Sequence, residues 1–66
     1  MTFAENLKLY RRARGWGQNE LAKALNLSAK TVSHWETGYT EPSISQLIFL
    51  ADLFDTSIDE LVGRIN

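Results

Sequence analysis

The chain's 66 residues carry a formal charge of −1, 44% apolar residues, a single histidine and no cysteine. That composition excludes disulfides and thiolate metal sites, leaves His34 without the partners a zinc site needs, and bounds the chain to one domain with a thin core. No apolar run approaches the ~18 residues of a membrane span and no signal peptide opens the chain, so the expectation is a cytoplasmic globular protein with no metal or cofactor.

Five helical patterns follow one another and nothing reads as a strand, which predicts an all-α fold of five helices. Thr2-Phe3-Ala4-Glu5 has the form of a capping box. Phe3, Leu7 and Tyr10 form one apolar stripe, and Arg11, Arg12 and Arg14 suit the negative end of the helix dipole before Gly15 stops the helix. A second helix runs from about Gln18 to Leu25, with Leu21, Ala22 and Leu25 inward. Asn26, which tolerates the left-handed backbone of a sharp turn, follows it. The third helix begins after the N-cap residue Ser28, turns Val32 and Trp35 inward and ends at Gly38. Tyr39-Thr40-Glu41 then leads to Pro42. Ser43-Ile44-Ser45-Gln46 is a second capping box, opening a helix with Ile44, Leu47, Leu50, Ala51 and Phe54 in its stripe. Ser57-Ile58-Asp59-Glu60 is a third, opening a short last helix in which Ile58, Leu61 and Val62 are apolar.

Residues 18–37 form a unit. Two helices that cross steeply over a short turn need a small residue where their backbones approach, which Ala22 supplies, and a left-handed residue between them, which Asn26 supplies. Leu21, Leu25, Leu27, Val32 and Trp35 then close the inner faces. The outer face of the third helix is left with Ala29, Lys30, Ser33, His34 and Thr37, and Glu36 is its single acid. Small, polar and basic side chains of this kind let a helix enter the major groove of DNA. The charge is also uneven. Residues 1–37 carry Lys8, Arg11, Arg12, Arg14, Lys23 and Lys30 against Glu5, Glu20 and Glu36, a net of +3, and residues 38–66 carry Arg64 against five acids, a net of −4. A local basic face matters more to a polyanion partner than the sum does.

The run Leu7, Arg11, Gln18-x-x-Leu21-Ala22, Leu27-Ser28, Thr31-Val32-Ser33, Trp35-Glu36-x-Gly38, Pro42-Ser43 and Leu61 resembles the Cro/repressor-like, or XRE, helix-turn-helix domains over nearly the whole chain. The resemblance implies a lambda-repressor-like fold over residues 1–66, with the motif at about 18–37 and the last two helices at about 43–64 serving core and dimerisation. It implies a sequence-specific regulator of transcription that binds double-stranded DNA and acts as a repressor. It also implies that Gln18 grips a phosphate at a helix start, with Asn19 beside it, and that Arg11 pairs with Glu36. Base readout falls to Ala29, Lys30, Ser33 and His34, and phosphate contacts to Ser28, Thr31, Tyr39 and Thr40. The chain departs from the family pattern at Trp16, at Gly17 (where a hydroxyl residue usually caps the second helix, so a looser start is expected), at Asn26 and at Glu41, which stands where a cation usually helps hold phosphate.

Leu9, Phe49, Leu53 and Ile65 fall off the core stripes, which points to a homodimer. The expected interface is Phe49, Leu53, Leu61, Val62 and Ile65, and the expected target is a near-palindromic operator. Because 66 residues leave no room for a ligand domain, no small-molecule site is expected, and regulation would act through concentration, dimerisation or a partner. An antitoxin or adaptor acting mainly through protein contacts is the alternative. No nucleophile–base pair or metal cluster supports an enzyme.

Overall fold

Hydroxyl side chains decide where four of the five helices begin. In the computed structural model, which describes residues 2–64, Thr2 accepts the Glu5 N–H while the Glu5 carboxylate accepts the Thr2 N–H, starting α1 (Phe3–Ala13). Those two donors from Thr2, its N–H before its hydroxyl, hold the Glu5 carboxyl below its ordinary range. Ser28 starts α3 (Ala29–Glu36), and Ser43 and Gln46 exchange the same pair of bonds at the start of α4 (Ile44–Leu53).

The second helix, α2 (Gln18–Leu25), begins at Gly17, which has no side chain to offer. The looser start expected there is compensated, because the Glu20 carboxylate accepts the Gly17 N–H and makes one half of the reciprocal cap. The third predicted box at α5 (Ile58–Leu61) is also only half made: Ser57 caps the Glu60 N–H, but the Glu60 carboxylate takes the hydroxyls of Ser57 and Thr56 instead of the Ser57 N–H. This last helix is one turn long and ends at Leu61, short of the expected 64.

Two left-handed residues other than glycine redirect the chain. Asn26 (φ 59°, ψ 42°) ends α2, and the Leu27 N–H closes back on the Ala22 carbonyl at 2.8 Å. Asp55 (φ 54°) does the same after α4, with the Thr56 N–H on the Ala51 carbonyl at 2.9 Å. The five helices enclose one core of Leu7, Leu21, Ala22, Val32, Trp35, Leu50, Ala51, Phe54 and Leu61. Trp16 packs against it, with its ring centroid 6.1 Å from that of Phe54.

Three sequence expectations are corrected. Leu61 was expected at a dimer interface but is entirely buried. It is the side chain that docks the single turn of α5, which has too few hydrogen bonds to persist alone. Its neighbour Val62 and the α4 residue Leu53 are half-buried, and Leu53 packs on the core, so neither is a free apolar surface. Ile44 was placed in the α4 stripe but is 76% exposed, because side chains tilt toward the helix N-terminus and at the first position that carries Ile44 beyond the core. Phe49 does stand out, 49% exposed, and Ile65 lies outside the described residues.

Asn6 is a polar residue on the inner side of α1. This buried side chain donates from Nδ2 to the carbonyls of Glu60 and Leu61, both at 3.2 Å, and so ties the end of α5 to α1. The Tyr10 hydroxyl bonds the Thr56 hydroxyl at 2.8 Å, and Arg14 donates to the Leu53 carbonyl at 2.8 Å while its guanidinium lies over Trp16 and Phe54. Among the described residues no helix is long and apolar enough to cross a membrane. Asn6→Leu should leave the Leu61 carbonyl unpaired and the Glu60 carbonyl with only the Gly63 N–H, and cost about 1–3 kcal/mol. Thermal or urea denaturation measures this, and an unchanged midpoint would show that water replaces both bonds at no loss.

Candidate nucleic-acid interface

The third helix has two contrasting faces. Val32, Trp35 and Glu36 are buried, whereas Lys30 and Thr37 are exposed and Thr31, Ser33 and His34 are half-exposed. Ala29 is half-buried against the core, so only part of its methyl faces outward. Asn19, Ser28, Tyr39 and Thr40 are exposed on the flanking segments, as is Glu41 in the loop before Pro42.

What holds α3 in this roll is a network around its acid. Arg11 grips Glu36 through both arms of its fork, Nε to Oε2 at 2.6 Å and Nη2 to Oε1 at 3.0 Å. The remaining guanidinium arm, Nη1, donates to the Trp16 carbonyl at 2.8 Å. Gln18 then donates from Nε2 to Glu36 Oε1 at 3.1 Å. One carboxylate therefore joins α1, the start of α2 and α3, and every buried side-chain nitrogen and oxygen among the described residues has a partner. Burial pushes the Glu36 carboxyl upward, but the hydrogen bonds from Arg11 and Gln18 and the charge of Arg11 outweigh it, leaving the group below its ordinary 4.5. The Glu36 hydrogen bond raises Arg11 in turn. The side chain that would repel phosphate is thus turned inward and neutralised.

The start of α3 has a defined donor. Ser28 Oγ accepts the Thr31 N–H, and the two hydroxyls lie 3.1 Å apart. One hydroxyl proton is used between them, so one remains for an outside acceptor. At the far end, the His34 and Tyr39 rings meet edge to face at 4.8 Å. Neither the Gln18–Glu36 bond nor this ring contact was read from the sequence. The first joins residues 18 apart in the chain, and local spacing carries no signal for it. Asn6 did leave a trace, because it occupies a position between Phe3 and Tyr10 on an otherwise apolar stripe.

Two helices packed across a left-handed Asn26 turn, the second pinned by one face and open on the other, define a helix-turn-helix domain. The chain belongs to the helix-turn-helix family, whose pattern it matches over residues 7–61. It is 40% identical over 60 residues to the HTH-type transcriptional regulator AnsR of Bacillus subtilis (strain 168), a match covering 91% of this chain and 52% of that one. It is 33% identical over 64 residues to the HTH-type transcriptional regulator ImmR of the same organism, covering 97% and 50%. A crystal structure of a transcriptional regulator from Listeria innocua superposes with a TM-score of 0.91 at 42% identity, covering 98% of this chain and 61% of that one. The chain spans about half the length of the curated relatives it matches.

The depressed Glu36 pKa has a consequence for stability. The unfolded carboxyl takes its proton near 4.5 and the folded one only at lower pH. Its contribution is therefore present above about pH 4.5 and is lost as pH falls through the folded value. Glu36→Gln removes this titration, and leaves Arg11 without its counter-ion at neutral pH. Urea unfolding of both proteins between about pH 5 and 3 should show a weaker pH dependence in the variant. Equal slopes would place the acid sensitivity in other carboxylates.

Proposed function

We propose that this chain is the DNA-reading part of a transcriptional regulator, that it inserts α3 into the major groove of double-stranded DNA, and that it represses by occluding a promoter. The observation that carries this reading is the division of α3: its acid is sequestered by Arg11 and Gln18 while Lys30, Ser33 and His34 stand on the open face. Lys30 can donate to guanine O6 and N7, His34 to guanine or a phosphate, Ser33 to several bases, and the outward part of the Ala29 methyl can touch thymine. Gln18, Asn19, the Ser28–Thr31 pair, Tyr39 and Thr40 would contact phosphates on either side, helped by the N–H groups at the start of α2. The description of relatives as transcriptional regulators supports the same role, and occlusion is the form of regulation that needs only binding. Such a protein acts in the cytoplasm, where its DNA is.

The domain acts as a two-fold dimer on a near-palindromic operator. Ile48 and Phe49 leave apolar surface on α4, each 49% exposed, and Glu41 in the flanking loop repels the phosphates that a cation there would hold. Two half-sites compensate for that weak grip, with reading helices about 34 Å apart.

Selection from random DNA should return an inverted repeat. Lys30→Ala should relax one symmetric position and cost about 1–3 kcal/mol there. Gln18→Ala should weaken all sequences about equally. Recovery of unselected sequence by the parent protein would overturn the reading. For the assembly, Phe49→Glu should shift sedimentation from dimer to monomer, and a persistent dimer would move the interface away from α4.

A further inference from the structure

The loop after α3 is folded back onto the helix chiefly through one carbonyl, with the Gly38 N–H on the Trp35 carbonyl at 3.3 Å beside it. The His34 carbonyl accepts the Tyr39 N–H at 2.9 Å, the Thr40 N–H at 3.3 Å and the Thr37 hydroxyl at 3.2 Å. Gly38, at φ +79°, makes the reversal without the strain a side chain would bring there. The fold-back brings the Tyr39 ring and the His34 imidazole edge to face, with centroids 4.8 Å apart and planes at 62°, an arrangement two aromatic rings favour.

Tyr39 gains little from burial, because it is 76% exposed. Its ring instead lies against that of its neighbour. His34 stands one helical turn beyond Lys30 on the open face of α3. A histidine free in solvent samples several rotamers, and a partner must then order it on binding. Here the loop that carries the neighbouring ring is anchored to the backbone of the same residue. A fixed imidazole presents its ring nitrogens in set directions, which a flexible lysine does not do.

We propose that Tyr39 is a positioning residue for sequence reading: its ring holds the His34 imidazole in one orientation at the C-terminal end of the reading face, and His34 discriminates between base pairs only while that ring is in place. The inference rests on the assignment of α3 to the major groove. It separates two parts of one side chain, since the hydroxyl can serve a phosphate while the ring serves His34.

The test compares the parent with His34→Ala, Tyr39→Ala, Tyr39→Phe and the double variant His34→Ala/Tyr39→Ala by site selection and competition binding, with circular dichroism to verify folding. His34→Ala and Tyr39→Ala should lose discrimination at the same base position, roughly tenfold. The double variant should lose no more than His34→Ala alone, and Tyr39→Phe should retain the base preference. Side-chain couplings of His34 in the free protein, measured by nuclear magnetic resonance, should report one rotamer in the parent and an average in Tyr39→Ala. Additive losses, or a Tyr39→Phe variant that weakens every sequence as much as Tyr39→Ala does, would reduce Tyr39 to a phosphate contact and overturn the proposal. A parent that selects no sequence overturns the reading of α3 itself. A parent that selects sequence with His34 averaged over rotamers overturns the positioning alone.

Discussion

The rest of the molecule depends on one buried carboxylate. Glu36 accepts from Arg11 twice and from Gln18 once, and these bonds connect the end of α1, the start of α2 and the end of α3. A domain of 66 residues has a net stability of only about 3–10 kcal/mol. Stripping a buried ion of its partner costs on the order of 3–5 kcal/mol, so either half of the pair can decide whether the chain folds. An apolar pair of similar shape could be as stable. What the ion pair adds is arrangement. It fixes how α3 is rolled against α1, it removes the acid from the open face, and it gives Gln18 a defined direction.

The C-terminal part of the fold is held by the same logic applied to weaker pieces. A four-residue helix cannot persist by its own hydrogen bonds. Leu61 seals it to the core and Asn6 accounts for two of the carbonyls at its end. Asn6 is therefore to α5 what Arg11 is to α3: a polar side chain on the inner side of α1 that satisfies the backbone or charge of a helix distant in sequence. The first helix is the frame on which both α3 and the terminal helix are set.

This division explains what could be read in the sequence and what could not. Helix starts were legible because a hydroxyl N-cap is a local signal, reinforced by Glu5 after Thr2 and by Gln46 after Ser43, and Thr2, Ser28 and Ser43 cap as expected. The turn at Asn26 was legible for the same reason. The resemblance carried the Arg11–Glu36 pair, which spacing alone does not reveal. Leu61 was misjudged because a leucine on a short amphipathic turn reads alike whether it faces the core or a second chain; only the packing against α1 distinguishes them. Ile44 shows the opposite error, a residue in phase with the stripe yet beyond the end of the core. The Gln18–Glu36 bond and the Tyr39–His34 contact depend on where separate elements meet, and residue spacing within one helix does not contain that.

The network also bears on how a chain of charge −1 can face a polyanion. Of the six cations in residues 1–37, Arg11 is consumed by Glu36, in the only ion pair among the described residues, and Arg14 is held by a carbonyl and two aromatic rings. The acids of that segment are occupied as well: Glu5 and Glu20 serve as helix caps, and Glu36 is buried. In the basic half, two carboxylates are thus held by backbone N–H groups and the third by the side chains of Arg11 and Gln18. On the proposed reading, the groups placed to meet phosphate are nevertheless mostly neutral donors, Gln18, Asn19, one hydroxyl proton of the Ser28–Thr31 pair, Thr40 and the N–H groups at the start of α2. Each neutral contact releases fewer counter-ions than a lysine or arginine would. Affinity built this way draws less on charge and more on fit, and fit requires donors fixed before DNA arrives. The buried Glu36 supplies that for Gln18 at one end of the reading helix, and the fold-back onto the His34 carbonyl supplies it at the other.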